Sequence, residues 1–251
     1  MAVGTVWRAF VEVVFPTLCP GCGRRADPVC VECAHTLRAP PPASPPAGLD
    51  AWVAPLAYEG VARDLVARVK YRHARAALPW LATVVTGAVV ATCPAAWFDA
   101  VTWAPTAPDR RRGRGFDHAE LLARQVAGRL GLPAVPTLAR LRGPPQTGLA
   151  LPARRAGPAF RVRAAVPGRV LLVDDVTTTG ATLAAAARVL RAGGADRIVA
   201  ATAARTPPRR QPGPPADTLS ARNVTESQFW AQASAGPVRH FLHRDRRSRA
   251  S

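Results

Sequence analysis

A chain of 251 residues carrying a formal net charge of +18, with 34 basic residues against 16 acids, has room for one α/β domain and a small appendage, and its charge suits a phosphate-rich partner. A GC-rich genome accounts for arginine in place of lysine, Lys70 being the only lysine, but not for the excess of bases over acids. No apolar run is long enough to span a bilayer, which excludes a membrane-spanning protein. Arg8 and Glu12 interrupt the apolar stretch from Ala2 to Phe15 with no basic region ahead of it, which argues against a secretory signal and for the cytoplasm.

Residues 3 to 15 alternate at roughly helical spacing and predict a short helix ending at Pro16. Cys19-Pro-Gly-Cys22 follows, then seven residues, then Cys30-Val-Glu-Cys33. Two Cys-x-x-Cys turns of this kind can surround one tetrahedral Zn²⁺ with four thiolates, and cytoplasmic cysteines stay reduced and available for that purpose. Redox use of either pair is the rival reading; four cysteines together favour zinc. Cys93 stands apart and reads as a small buried apolar residue.

The proline-rich run from Pro40 to Pro46 reads as a linker. Beyond it, Trp52 to Tyr58 predicts a strand, Val61 to Tyr71 a helix, Leu78 to Ala91 an apolar helix and Phe98 to Ala104 a buried strand. Arg110, Arg111, Arg112 and Arg114 then crowd a glycine-containing loop that feeds a helix from Asp117 to Leu130. Such a loop puts guanidinium groups and helix N–H groups near the same anion; a solvated basic surface loop is the alternative. His118 reads as a capping or packing residue.

Residues 137 to 161 scatter Arg140, Arg142, Gln146, Leu149, Arg154, Arg155 and Phe160 among glycines and prolines, in the manner of a basic flexible loop. The densest signal comes next. Val170 to Val173 has the length and apolarity of a strand buried on both faces, and Ala181 to Ala192 has helical length. Between them lie Asp174 and Asp175 and the hydroxyls of Thr177, Thr178, Thr179 and Thr182. A loop entering a helix presents unpaired N–H groups and the positive end of the dipole to an anion. Gly180 lets the backbone turn and come close to a ligand. Two carboxylates at the carboxyl end of a strand can accept from sugar hydroxyls or hold Mg²⁺. A sugar phosphate satisfies both halves. Arg197 to Ala203 predicts one more strand, and the composition past Thr206 reads as a disordered basic tail.

The run Val-Asp-Asp-Val-Thr-Thr-Thr-Gly-Ala-Thr, from Val173 to Thr182, resembles the phosphoribosyl-pyrophosphate (PRPP) loop of type I phosphoribosyltransferases. Together with the paired Cys-x-x-Cys units, the Arg-Gly-Phe helix start and the Gln-x-x-Leu segment, it resembles the ComF family of phosphoribosyltransferase-like proteins linked to DNA uptake. The likeness runs from about Val6 to Ala204 and implies a Rossmann-like α/β parallel sheet with an N-terminal zinc knuckle. The implied division is a helix and knuckle over 1–38, a linker over 39–50, a phosphoribosyltransferase-like domain over 51–205 and a tail over 206–251.

By the resemblance, Asp174 and Asp175 meet the ribose hydroxyls, Thr178, Thr179, Gly180, Ala181 and Thr182 wrap the 5′-phosphate, and Thr177 belongs with them to the PRPP-binding set. Arg110 and Arg114 add charge, and Arg140, Arg142, Gln146 and Arg154 form a lid over the pyrophosphate. Mg²⁺ accompanies PRPP and Zn²⁺ is structural. Gly157 stands where the family pattern usually has Asn, and Asp117-His118 replaces the commoner Asn-Gln. Purine enzymes of this class often carry an acid at the place of Thr178, so the threonine argues against that chemistry. Two functions stay open: transfer of ribosyl-5-phosphate to a nitrogen nucleophile, and a non-catalytic single-stranded DNA-binding or regulatory protein that senses PRPP. A scaffold for a competence helicase or other DNA-uptake proteins is a third.

Overall fold

The computed structural model describes residues 18–19, 21–26, 28–69, 77–107, 109, 111–112, 115–141 and 157–208. The predicted helix over 3–15, Lys70, Arg110, Arg114, Arg142, Gln146, Arg154 and nearly all of the predicted tail lie outside these residues. Every element below falls within one unit, Met1–Pro207. Among the described residues no helix is long and apolar enough to cross a membrane.

In chain order the elements are α1 (Val31–Ala34), β1 (Ala51–Val53), β2 (Leu56–Ala57), α2 (Gly60–Val69), α3 (Ala77–Thr92) and a 3₁₀ turn (Ala95–Trp97). There follow β3 (Ala100–Trp103), α4 (His118–Leu130), β4 (Leu138–Arg140), β5 (Phe160–Val162), β6 (Arg169–Thr177), α5 (Ala181–Ala192) and β7 (Arg197–Arg205). β1, β7, β6 and β3 form a sheet in that order, with β2 continuing β1 along β7, and every pairing is parallel. The single strand expected from Trp52 to Tyr58 is broken at Ala54-Pro55, because proline has no N–H to give to the ladder.

Alternation along the two central strands places the layers. Leu171 and Val173 of β6, with Val199 and Ala201 of β7, pack against α2, α3 and α4. Val170 and Leu172, with Ile198 and Ala200, pack against α5. A sheet covered on both faces needs strands that are apolar throughout, and Val170 to Val173 are all fully buried. α2 turns Ala62, Leu65, Val66 and Val69 inward, the spacing of one helical stripe. Cys93 is buried as expected.

β6 runs four residues past its apolar stretch, because pairing with β7 continues through Asp174↔Thr202, Val176↔Ala204 and Thr177↔Arg205. Asp174 to Thr177 therefore belong to the strand and not to the loop. The basic region from 137 to 161 likewise is not loop throughout: β4 and β5 pair antiparallel and bring its two ends together.

The stretch before β1 is packed on this sheet. Leu37 enters the core beneath α2 to α4, and Ala57 N–H donates to the Arg38 carbonyl at 2.8 Å. A methyl group at Gly21 would come within 2.7 Å of Val61 on α2, so the cysteine-bearing turn lies directly against that helix. Residues 40 to 46 form neither helix nor strand, and Asp50 at the end of the stretch accepts from Ile198 N–H and Arg191, both at 2.6 Å.

Candidate functional site

From β3 the chain passes to α4 on one face of the sheet; from neighbouring β6 it passes to α5 on the other. The crevice outside the carboxyl ends of two adjacent strands whose connections diverge in this way is where open α/β sheets bind ligands. Asp174 and Asp175 stand at that end of β6, both half-buried. Asp174 Oδ1 accepts from Asp175 N–H at 2.8 Å, and Asp175 Oδ1 from Val176 N–H at 2.7 Å; one N–H does not exhaust the acceptor capacity of the Asp174 carboxylate. Burial, first, and then the charges of Asp175 and Asp117 push the Asp174 carboxyl well above its ordinary range. A cation or a set of hydroxyl donors would relieve that repulsion.

Past Thr177 the chain becomes a loop: Thr178 and Thr179 are exposed, and Gly180 caps α5 in the left-handed region with φ 78°. Gly180 gives the helix no side-chain cap; Thr179 Oγ1 lies 3.4 Å from Ala181 N–H. Two segments press on this turn. A Cβ on Gly180 would meet Pro46 Cγ at 2.7 Å, and one on Gly157, itself at φ 69°, would meet the Ala181 carbonyl oxygen at 2.6 Å. Asparagine tolerates left-handed backbone better than most residues, but the closeness of Ala181 leaves room only for glycine at 157. The segment leading into β5 thus rests on the first residue of α5.

The arginine-rich loop after β3 is built differently. Asp117 is buried and caps α4, its Oδ1 accepting from Ala119 N–H at 3.1 Å and Glu120 N–H at 3.4 Å. The same carboxylate takes Thr106 N–H at 2.7 Å and Thr106 Oγ1 at 3.1 Å. At this helix end the protein's own carboxylate thus takes the first N–H groups, which the expectation had given to an external anion shared with the arginines; Arg110 and Arg114 themselves lie outside the described residues. Of the described arginines here, Arg111 pairs with Glu120 at 3.5 Å and Arg112 with Asp109. His118 is buried, packs edge-on against Phe116 at 4.9 Å and shares a small, largely apolar cavity wall with Asp175, Val66, Leu78 and Leu122. Asp117 with Glu120 has the spacing of a helix-capping box, a signal present in the sequence and not used.

Cys19, Cys22, Cys30 and Cys33 bring their sulfurs within 4.8 Å of one another, where they could hold a metal ion. Cys22 and Cys30 Sγ lie 3.5 Å apart, close to the roughly 3.8 Å of two sulfurs on one tetrahedral ion at about 2.3 Å. Burial would raise the Cys19 thiol, but backbone N–H groups of Cys30, Cys22 and Gly21 and the Cys33 thiol outweigh it and bring its pKa down to about 6. Contact with Cys30, burial and contact with Cys19 push Cys33 up to about 12. Four sulfurs so close cannot all ionise without a cation among them.

Residues 117–232 match the family model of the phosphoribosyl transferase domain, so the match begins at the cap of α4 and includes β6, its loop and α5. Two relatives named DNA utilization protein YhgH, from Salmonella typhi and Salmonella typhimurium, are each 28% identical over 190 residues, covering 72% of this chain and 81% of the relative. Residues 117–232 thus resemble a phosphoribosyl transferase domain, and most of the chain is similar to these two proteins. The fold expected from the resemblance is present, with a parallel sheet and a metal-competent cysteine cluster at its amino-terminal side. Of the candidate residues, Asp174 to Thr182 are brought together along one continuous stretch. Arg140 lies on β4 at the base of the basic segment.

Proposed function

We propose that the protein binds PRPP in the crevice beyond β6, as a member of the DNA-uptake-linked ComF group. The observation that carries the reading is one strand-loop-helix: paired carboxylates at a strand end followed by a hydroxyl-rich turn into a helix without a side-chain cap. Asp174 and Asp175 accept from the ribose hydroxyls, and residues 178–182 surround the 5′-phosphate. Arg110, Arg114 and the basic segment with Arg140, Arg142, Gln146 and Arg154 shield the pyrophosphate and exclude water. Mg²⁺, when bound, neutralises the departing pyrophosphate.

In the transferase form of the reading, the bond from the anomeric carbon to pyrophosphate breaks and a bond to a nitrogen nucleophile forms. Pyrophosphate leaves with the bonding electrons, the nitrogen loses its proton, and the two aspartates favour the positive charge that develops on the ribose. The four cysteines hold a structural Zn²⁺, which elemental analysis should find at one per chain.

A calorimetric titration with PRPP, run with and without Mg²⁺, tests the reading. Binding should require Mg²⁺ and should weaken more than a hundredfold in Asp174→Asn/Asp175→Asn, about tenfold for each lost set of charged hydrogen bonds. Equal affinity in wild type and double variant rejects the ribose contacts. The charge of +18 and the relatives' name, DNA utilization protein, favour a second reading, a single-stranded DNA-binding or regulatory protein using the same site as a sensor. Steep loss of DNA binding with salt, without turnover of PRPP, would select it.

A further inference from the structure

Arg205, the last residue of β7, is the one buried arginine among the described residues, only 8% exposed. Far more exposed arginines are fully engaged: Arg169 bonds Asp99, Arg191 bonds Asp50, and Arg124 bonds Glu120. Among the described residues Arg205 has no such partner. Its guanidinium carbon lies 5.2 Å from the ring centroid of Trp52, and no carboxylate or carbonyl oxygen among the described residues accepts from its side chain. A ring face attracts the charge and fixes the plane, but it accepts none of the five N–H donors.

Beside it stands a second unmet group. Thr177 is the register partner of Arg205 across β6 and β7, so the two side chains stand on the same face of the sheet. Thr177 is 4% exposed, and its Oγ1 is buried with no hydrogen-bond partner among the described residues. Alternation slips where the register passes over Asp175 and Ala203: Val176 and Ala204 both join the core under α2 to α4, so Thr177 and Arg205 turn to the face carrying α5, where Trp52 packs on the core beneath that helix. Three residues beyond Thr177, Gly180 opens α5 without a side-chain cap. A buried cation, a buried hydroxyl and the positive end of a helix all want the same thing, an anion with several acceptor oxygens.

We propose that Arg205 and Thr177, together with the amino end of α5, bind a phosphate monoester. The inference rests on the PRPP reading and extends it: the 5′-phosphate is held from the neighbouring strand as well as by the loop, and Trp52 keeps the guanidinium in place for it. Glutamine at 205 removes the charge while keeping a donor; valine at 177 removes only the hydroxyl.

Calorimetry on the full-length protein with ribose 5-phosphate, PRPP and inorganic pyrophosphate tests it. Arg205→Gln should weaken ribose 5-phosphate and PRPP by the same factor, about tenfold or more, and leave pyrophosphate unchanged, with Arg205→Lys intermediate. Thr177→Val should weaken the same two ligands about threefold to tenfold. Unchanged affinity for both phosphate monoesters in Arg205→Gln overturns the proposal while the PRPP reading stands, whereas a wild type that binds neither ligand removes the PRPP reading itself. Should Arg205→Gln fail to fold, Thr177→Val decides, and unchanged affinity there overturns the proposal equally.

Discussion

Two adjacent parallel strands, β3 and β6, end at the same edge of the sheet, and each passes through a polar loop into a helix. The helices are opened in opposite ways. α4 begins at Asp117, whose carboxylate bonds Ala119 and Glu120 N–H groups and also ties down Thr106, so that helix end already holds an anion supplied by the chain. α5 begins at Gly180, which has no side chain to offer. A helix amino terminus has unpaired donors and partial positive charge in either case. One end is closed by the chain's own carboxylate, and the other has none upon it. The arginines of the β3 loop do not alter this contrast, since Arg111 and Arg112 face Glu120 and Asp109.

The contrast is sharpest when each opening residue is changed. Asp117→Ala should cost about 2–3 kcal/mol of unfolding free energy, because the cap and the buried hydrogen bonds to Thr106 disappear together. Asp117→Asn should recover much of it. Urea denaturation followed by circular dichroism measures both, and a loss in the alanine variant below about 0.5 kcal/mol would show that the cap is dispensable.

At the open end there is no cap to lose, and the expected damage has another origin. Gly180→Ala places a Cβ at φ 78° and within 2.7 Å of Pro46 Cγ, and Gly157→Ala places one at φ 69° and within 2.6 Å of the Ala181 oxygen. Each should cost about 1–2 kcal/mol, or roughly 3–8 °C in Tm for a domain of this size. Unlike Asp117→Ala, both should also weaken PRPP if the proposed function holds, because they displace the turn to which it assigns the phosphate. A Gly180→Ala protein with full stability and full affinity would mean that the turn is not held as tightly as Pro46 and Gly157 indicate.

Much of this end of the molecule was legible in the sequence. An apolar run of strand length, two acids, a threonine-glycine turn and an alanine-rich helix succeed one another locally, and each carries its own chemistry. What was not legible depends on residues far apart in the chain. The strand continues to Thr177 because β7 lies beside it, which no property of Val-Thr announces. β4 and β5 are three-residue strands separated by a long basic segment, with no hairpin turn signal between them. The contact of Pro46 with Gly180 and the stacking of Arg205 on Trp52 join segments that only the folded sheet brings together. Asp117 is the exception: its cap is written locally, in the Asp-x-x-Glu spacing that opens α4.

The smallest expected effect is also the one with the clearest sign. Burial and the charges of Asp175 and Asp117 raise the Asp174 pKa in the folded chain, whereas in the unfolded chain it titrates near its ordinary value of about 3.9. Below that pH the carboxyl is protonated in both states and costs nothing. As pH rises, the unfolded chain gives up this proton first, so the folded state loses stability until the pH has passed the raised folded value. Asparagine mimics the protonated acid at every pH. Asp174→Asn should therefore raise Tm at pH 7 in the absence of added Mg²⁺ and PRPP, and the gain should vanish near pH 4. The same variant should lose ligand affinity, so the residue would trade stability for binding. Added Mg²⁺ with PRPP should close the stability gap from the wild-type side, since only the carboxylate form gains from the ligand. Thermal melts of the two proteins across that pH range decide it. A gain that persists undiminished at pH 4 would trace the effect to packing of the amide and not to the charge repulsion that leaves this strand end waiting for a partner.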